Sequence, residues 1–238
     1  ERVLLDVFIA SHRDNPPSRL IIDADATDDP AHGQQEFEFF HGYYDCHCFL
    51  PLLVYVTADD GEQELVASVL RPGNVGAGHG LVSILKRIIG RLKDAFPQAG
   101  IVFRGDAGMG CPAVYDYCED AGMDYVISLS KNSRLLEYGE EHMRDARAIY
   151  EETGEKVRHF SELYYAANTW RCERRVVMKA EVANKGENPR FVVTNLDMPS
   201  RELYEFYCDR GDVENRIKEL KDDLFSGRTS CHRFWANQ

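Results

Sequence analysis

The chain has 238 residues, 44% of them hydrophobic and 29% charged, with a formal net charge of -12. That length and balance suit one sizeable globular domain, or one domain with an insertion, and exclude a low-complexity chain. No apolar run approaches the roughly 18 to 20 residues of a membrane span, and residues 1–14 lack the order of a signal peptide, so a cytoplasmic protein without a membrane partner is expected. The acidic balance argues against a phosphate-backbone binder unless bound metal ions neutralise part of it. Because the chain begins without methionine and ends after a polar segment, it reads as an excerpt of a protein that has lost a basic domain.

Residues 1–12 (ERVLLDVFIASH) predict an amphipathic helix with Val3, Leu4, Val7, Phe8 and Ile9 close to one side. The loop HRDNPPS ends it, since two prolines cannot continue a helix. RLIIDADATDDP follows as a short apolar strand that ends in acids. In a strand, Asp23 and Asp25 point to one face and Ile22 and Ala24 to the other. Two acids on one wall are costly without a counter-charge, although a pair of surface acids at a strand end is the plainer reading. HGQQEFEFFHGYYDCH is rich in aromatics and reads either as a loop packed over something or as a plain hairpin. Its Cys46-His47-Cys48 run invites a zinc reading, but no second ligand pair follows. The seven cysteines are odd in number and scattered through predicted strands and helices, as expected of free thiols rather than disulfides.

Next come two strands around an Asp59-Asp60-Gly61 turn, a strong hairpin signal. After the glycine-rich stretch 72–80, LVSILKRIIGRLKDAFP is an amphipathic helix with Lys86, Arg87, Arg91 and Lys93 outward. IVFRGDAGM is a strand that delivers Asp106 into a glycine-flanked turn, where backbone can approach another group closely. PAVYDYCEDAGM is a helix with Pro112 in its first turn, and DYVISL is a buried strand. Three strands, helix, strand, helix, strand predict an α/β fold with a mixed five-stranded sheet flanked by helices. From 156 to 196 the texture changes to strands without helices, which marks an inserted β-rich subdomain. Its Lys156, Arg158, Arg171, Arg174, Arg175, Lys179, Lys185 and Arg190 make it locally basic, whether as a solvated sheet face or as something more. The division expected is 1–155 for the first part of the core, 156–196 for the insertion and 197–238 for a helix that completes the core.

That last helix, expected to run unbroken over 201–224, gathers Leu203, Phe206, Val213, Ile217, Leu220 and Leu224 into one apolar arc about 100° wide. Along its border Tyr207, Arg210, Glu214 and Lys221 fall within about 60°. An ordinary i,i+4 pair of Arg210 with Glu214 on a solvated face would explain part of this. With Asp25 and Asp106 at the ends of neighbouring strands and Glu214 on a helix packed against them, three carboxylates would converge from distant parts of the chain. Oxygen-only ligands favour Mg²⁺ or Mn²⁺ over zinc. Two such ions about 4 Å apart support in-line displacement at a phosphodiester. Arg210 and Lys221 would then hold a nearby phosphate, and Tyr207 would stack or hydrogen-bond at a strand end.

At these residues the chain resembles the DDE transposases of bacterial insertion sequences, which have a ribonuclease-H-like catalytic core. Tyr207, Arg210, Glu214 and Lys221 match the Tyr-Arg-Glu-Lys signature of one large group in spacing throughout. Asp25-Ala26-Thr27 is similar to that group's first motif and Arg104-Gly105-Asp106-Ala107-Gly108 to its second; the phrases DPAHGQQE and LRPGN resemble one of its branches. The resemblance covers residues 19–224 and extends to the β-rich insertion. It implies Asp25, Asp106 and Glu214 as catalytic ligands of two Mg²⁺ or Mn²⁺ ions, with Asp23 as a competing first ligand. It implies double-stranded DNA as partner, both transposon ends and target, and a dimer or higher assembly on DNA. Hydrolysis at the ends would be followed by strand transfer, with Arg210 and Lys221 on the end backbone and Tyr207 beside them. The alternatives are a catalytically silent DNA-binding descendant and a structure-specific nuclease on the same fold.

Overall fold

The computed structural model describes residues 2–224 and 226–238. By contact the chain divides into two compact units, Glu1–Val102 with Arg210–Gln238, and Phe103–Asp209. The first begins with α1 (Arg2–Ser11), β1 (Arg19–Ala26), β2 (Asp29–Pro30), β3 (Phe39–His41) and β4 (Cys46–Phe49). It continues through β5 (Leu52–Thr57), β6 (Gln63–Val69), α2 (Leu81–Ala95) and the first half of β7 (Gly100–Gly105). Its main sheet runs in the order β7-β1-β5-β6. Strands β1 and β5 are antiparallel, with Asp23 opposite Tyr55 and Asp25 opposite Leu53. The β5–β6 turn closes as its sequence predicts, with Gly61 at a positive φ of 79°. The Asp59 carboxylate accepts the backbone N–H of Ser18 at 2.6 Å and of Arg19 at 3.1 Å, which ties that turn to the start of β1.

Strand β1 is covered on both faces: Leu20, Ile22 and Ala24 are buried on one side and Asp23 on the other. Helix α2 buries Leu81, Ile84, Leu85, Ile88, Ile89 and Leu92, the stripe its periodicity predicts. The aromatic stretch resolves as a hairpin, β3 and β4, in a small sheet of order β2-β4-β3.

The second unit holds the rest of β7, α3 (Pro112–Asp120), β8 (Asp124–Leu129), α4 (Ser133–Tyr138) and α5 (Glu140–Thr153). It goes on through β9 (Val157–Tyr165), β10 (Arg174–Ala183), β11 (Gly186–Glu187), β12 (Arg190–Thr194) and α6 (Ser200–Cys208). Its sheet runs β11-β10-β12-β8-β7, with β9 on β10. Helix α3 joins the neighbours β7 and β8, the kind of connection parallel strands need. Strand β12 pairs antiparallel with β8, so the strands of 156–196 extend the sheet beyond the five expected. The mixed α/β class, a large sheet flanked by helices, is as predicted. No helix among the described residues is long and apolar enough to cross a membrane.

Two expectations fail. Helix α1 buries Leu5 and Phe8, while Val3, Leu4 and Val7 of its expected apolar side are exposed. Residues 201–224 are not a single helix: α6 ends at Cys208 and α7 (Gly211–Asp222) begins after a turn, with α8 (Phe234–Asn237) closing the chain. Asp209 and Arg210 keep helical dihedrals, but Val213 N–H bonds Arg210 O at 3.0 Å, a bond three residues back instead of four. Gly211, a weak helix former, follows directly. The apolar arc therefore serves two cores. Leu203 and Phe206 pack with Val126, Val177 and Val192 in the second unit, whereas Val213, Ile217 and Leu220 pack on Leu53, Tyr55 and Leu65 in the first. Leu224 is 71% exposed and belongs to neither.

Arg71, 4% exposed, explains the phrase LRPGN: it donates to the carbonyls of Leu50, Ala77 and His79 and so pins the glycine-rich stretch. Within that stretch Gly73 has no room for a side chain, because a Cβ would lie 1.9 Å from Cys48 O and 2.7 Å from Phe39 O. Gly73→Ala is expected to push β3 and β4 away and destabilise the protein by about 2 kcal/mol or more, read as a lowered urea midpoint. An unchanged midpoint would mean that this close approach is not kept in solution.

Candidate active site

The acids at the end of β1 have different surroundings. Asp23 is 0% exposed and accepts a hydrogen bond from Gln63 Nε2 at 3.1 Å. Asp25, two residues on and on the same face, keeps an edge open to solvent. Its Oδ1 accepts the N–H of Ala26 at 2.9 Å and pairs with Arg210 Nη2 at 3.1 Å, the two side chains being 15% and 8% exposed. The same Nη2 lies 3.4 Å from Ala24 O, while Arg210 Nε is buried without a hydrogen-bond partner among the described residues. The turn before α7 thus delivers a guanidinium to the end of β1.

Further along the same loop, Lys221 Nζ pairs with Asp28 Oδ1 at 2.7 Å. Asp29 is buried; Thr229 donates to its Oδ2 at 2.7 Å, and its Oδ1 has no hydrogen-bond partner among the described residues. Tyr44 donates to Ala26 O at 3.2 Å, and burial together with Asp28 and Asp25 pushes its phenol up to about 12. The phrase DPAHGQQE holds the chain's last residues. Gln35 donates to the carbonyls of Thr229 and Cys231, and the Glu36 side chain accepts the Phe234 N–H.

Glu214 stands in the first turn of α7, exposed beside the buried Val213 that anchors the helix. A carboxylate there suits the positive end of the helix dipole. In the second unit, Asp106 follows β7 in a tight turn, its Oδ1 accepting the Met109 N–H at 3.1 Å. Glycines frame that turn: a Cβ on Gly110 would lie 2.9 Å from the Tyr115 hydroxyl and 3.1 Å from Ser128 O. Arg104, 4% exposed, donates to Phe206 O at 2.9 Å and lies over the Phe206 ring at 5.0 Å. Tyr207 is half-buried against the α6 core, its ring 6.0 Å from that of Tyr204.

Within the first unit the structure brings Asp25 together with Arg210, and Asp28 with Lys221. Asp106 and Tyr207 belong to the second unit; Tyr207 stands on α6, whereas Glu214 and Lys221 stand on α7 with Arg210 in the turn before it. Sequence reasoning missed Asp28 and Gln63. The Asp28-Asp29 run and the need of Lys221 for a counter-charge were the signal for the first. Gln63 carried none, because strand register alone aims it at Asp23. His47 turns toward Glu38 at 2.6 Å, on the strand face opposite Cys46 and Cys48.

Among the described residues no group of three or more His, Cys, Asp or Glu side chains is arranged to hold a metal ion. Carboxylate oxygen is the donor type a hard cation takes. Asp25 offers carboxylate oxygen near the surface, and Arg210 now meets the positive charge it requires.

A family model described as transposase DDE domain group 1 matches residues 1–238. No curated protein matches the chain. Similar solved structures include the Mos1 transposase paired-end complex with left transposon end, at 12% identity over 52% of this chain and a TM-score of 0.29. The chain spans 40% of the length of that Mos1 chain. The NurA nuclease from Sulfolobus solfataricus matches at 9% identity over 85% of this chain and 81% of its own, TM-score 0.38. Marinitoga piezophila Argonaute in complex with a 5′ OH guide RNA matches at 9% identity over 81% of this chain and 26% of its own, TM-score 0.33.

Two outcomes follow from the buried acids. Arg210→Ala removes the guanidinium paired with Asp25 and is expected to cost about 2–3 kcal/mol. The double variant with Asp25→Asn should recover part of this in a double-mutant cycle by urea denaturation, and strict additivity would deny the pairing. Burial raises Asp29 above its ordinary 3.8, against the pull of Thr229, His32 and Lys221. An acid with a raised folded value favours the protonated form, so its contribution to stability declines as pH rises from about 4 through that value. Asp29→Asn should flatten that decline and melt higher at neutral pH; an identical pH profile would refute the assignment.

Proposed function

We propose, for a chain that belongs to the transposase DDE domain group 1 family, that it is the catalytic core of an insertion-sequence transposase that cleaves DNA at transposon ends and joins the freed strands to target DNA. The family match over the whole chain carries this reading. The low-similarity structural matches add no weight to it. The family implies phosphoryl transfer, and the proposed ligands are Asp25, Asp106 and Glu214, with Mg²⁺ or Mn²⁺ as the ions. Asp25 is preferred over Asp23 because Asp23 is fully enclosed and already engaged by Gln63. When bound, such ions activate the attacking oxygen and stabilise the leaving one.

The chain's own groups would do the rest. Asp25 is held by Ala26 N–H and Arg210 at the end of a strand buried on both faces, so it has little freedom to turn away. Arg210 supplies a fixed, permanently charged group beside it. Released from Asp25, its planar fork suits a phosphate of the transposon-end backbone. Lys221 plays the point-charge counterpart from the far end of α7, now paired with Asp28. Tyr44, pushed up to about 12, stays protonated at neutral pH and acts as a donor that holds the loop after β1, not as a base. Tyr207 would pack near the DNA from the second unit. Residues 156–196 are read as the inserted β-subdomain between core segments 1–155 and 197–238, and a dimer or higher assembly is expected on DNA.

The test is metal-dependent nicking and strand joining on duplexes carrying the element's own ends. Asp25→Asn, Asp106→Asn and Glu214→Gln should each lower both steps by about a hundredfold or more, since even partners one shell beyond a metal ligand are worth about 10–100-fold. Asp23→Asn should instead lower stability. Full activity in the three carboxylate variants would refute the proposal. Cleavage of any branched or single-stranded DNA, without preference for element ends, would favour a structure-specific nuclease.

A further inference from the structure

The structure sorts the cations of the basic segment into two groups. At one end they are neutralised. Arg174, its side chain 2% exposed, donates to Glu119 and Asp116, both at 2.6 Å. Arg171 meets Asp116, Glu119 and Asp120, and Arg175 is taken up by Glu162 and the carbonyls of Leu196 and Met198. Helix α3 thus supplies the acids for Arg171 and Arg174, and β9 the acid for Arg175.

At the other end three cations share one carboxylate. Lys156 at 3.0 Å, Arg158 at 2.9 Å and Lys179 at 3.2 Å all converge on Glu181. Burial works against the charge on Glu181, but these neighbours and Asn188 hold it down to about 2. Directly opposite Lys179 on β12 is Arg190, which has no ion-pair partner among the described residues. Like charges in that position repel unless something anionic lies over them. Lys185 lines a cleft of about 710 Å³ together with Lys156, Glu181 and Asn188, while Glu187 on the same cleft is engaged by Arg147. Glu205 and Asp209 act on the nearby Cys208 alongside Lys179 and Arg158. Even with those two acids included, five cations (Lys156, Arg158, Lys179, Lys185, Arg190) face three carboxylates. The Lys156 and Arg158 side chains are 47% and 57% exposed, open to a ligand.

We propose that this face of β9, β10 and β12 binds the phosphate backbone of double-stranded DNA. Arg158 of β9, opposite Glu181, and Arg190 of β12, opposite Lys179, lie on either side of β10, two strand gaps of about 4.8 Å each apart. Lys179, 12% exposed and over the Tyr204 ring at 5.3 Å, lies between them. A spread of this kind suits successive phosphates better than a single small anion. A chain of net charge -12 approaches DNA only where the local sign is reversed, and the surplus here provides such a place. The proposal rests on the DNA-processing reading above and adds a contact surface apart from the signature residues.

The test is binding of the full chain to a fluorescent duplex carrying the element's end, by anisotropy over a series of salt concentrations. Lys185→Ala with Arg190→Ala removes two charges without breaking an internal ion pair. It is expected to lower the slope of log affinity against log salt by about 1.8, at about 0.9 for each phosphate contact. Lys156→Ala should lower it by about 0.9. Arg171→Ala, whose charge is already neutralised, should leave the slope as in wild type. Wild-type binding with an unchanged slope in both test variants would overturn the surface, as would an equal drop in Arg171→Ala. A wild-type chain that binds no DNA would overturn the DNA-processing reading itself.

Discussion

The ion pair between Arg210 and Asp25 is the contact on which the first unit's site depends. A carboxylate only 15% exposed at a strand end loses most of its hydration and calls for a counter-charge. The chain resolves this by bringing in a guanidinium from a segment 185 positions later, at 3.1 Å. The arrangement also fixes where α7 starts, since Arg210 sits in the turn before it and Val213, three residues on, plugs into Leu53 and Tyr55. The side chains that set the position of Glu214 are therefore the ones that pack beneath β1 and β5.

The break after Cys208 gives the signature two different settings. Tyr207 closes the core of the second unit beside Tyr204, while Arg210, Glu214 and Lys221 ride on a short helix held by the first. Glu214 and Lys221 share α7, where seven residues bring the chain back to nearly the same side. Both signature cations lie against acids of β1 or the loop after it. Each such acid is a place where positive charge is already required, which is the electrostatic condition a cation-binding site must meet.

Charge is distributed more sharply than a net value of -12 conveys. The acids of α3 take up Arg171 and Arg174, Glu162 of β9 takes up Arg175, and Arg174 is buried as completely as a core residue. Toward the β10–β11 hairpin, Glu181 alone serves three cations. A count along the chain weighs these residues equally. Only burial and pairing tell which of them still carry charge that a ligand would meet.

The sequence by itself determined the mixed α/β class, the β5–β6 hairpin, the stripe of α2 and the proline-led α3. These depend on interactions between residues close in the chain: periodicity, turn chemistry and φ preference. The tertiary structure decided what depends on residues far apart. It closed Asp23 behind Gln63 and left Asp25 at the surface edge, although both lie on one strand face, because the register of β6 and the reach of Arg210 lie outside β1 itself. It also split the 201–224 helix, since its apolar residues answer to two separate cores, and local propensity cannot report which core each one will join.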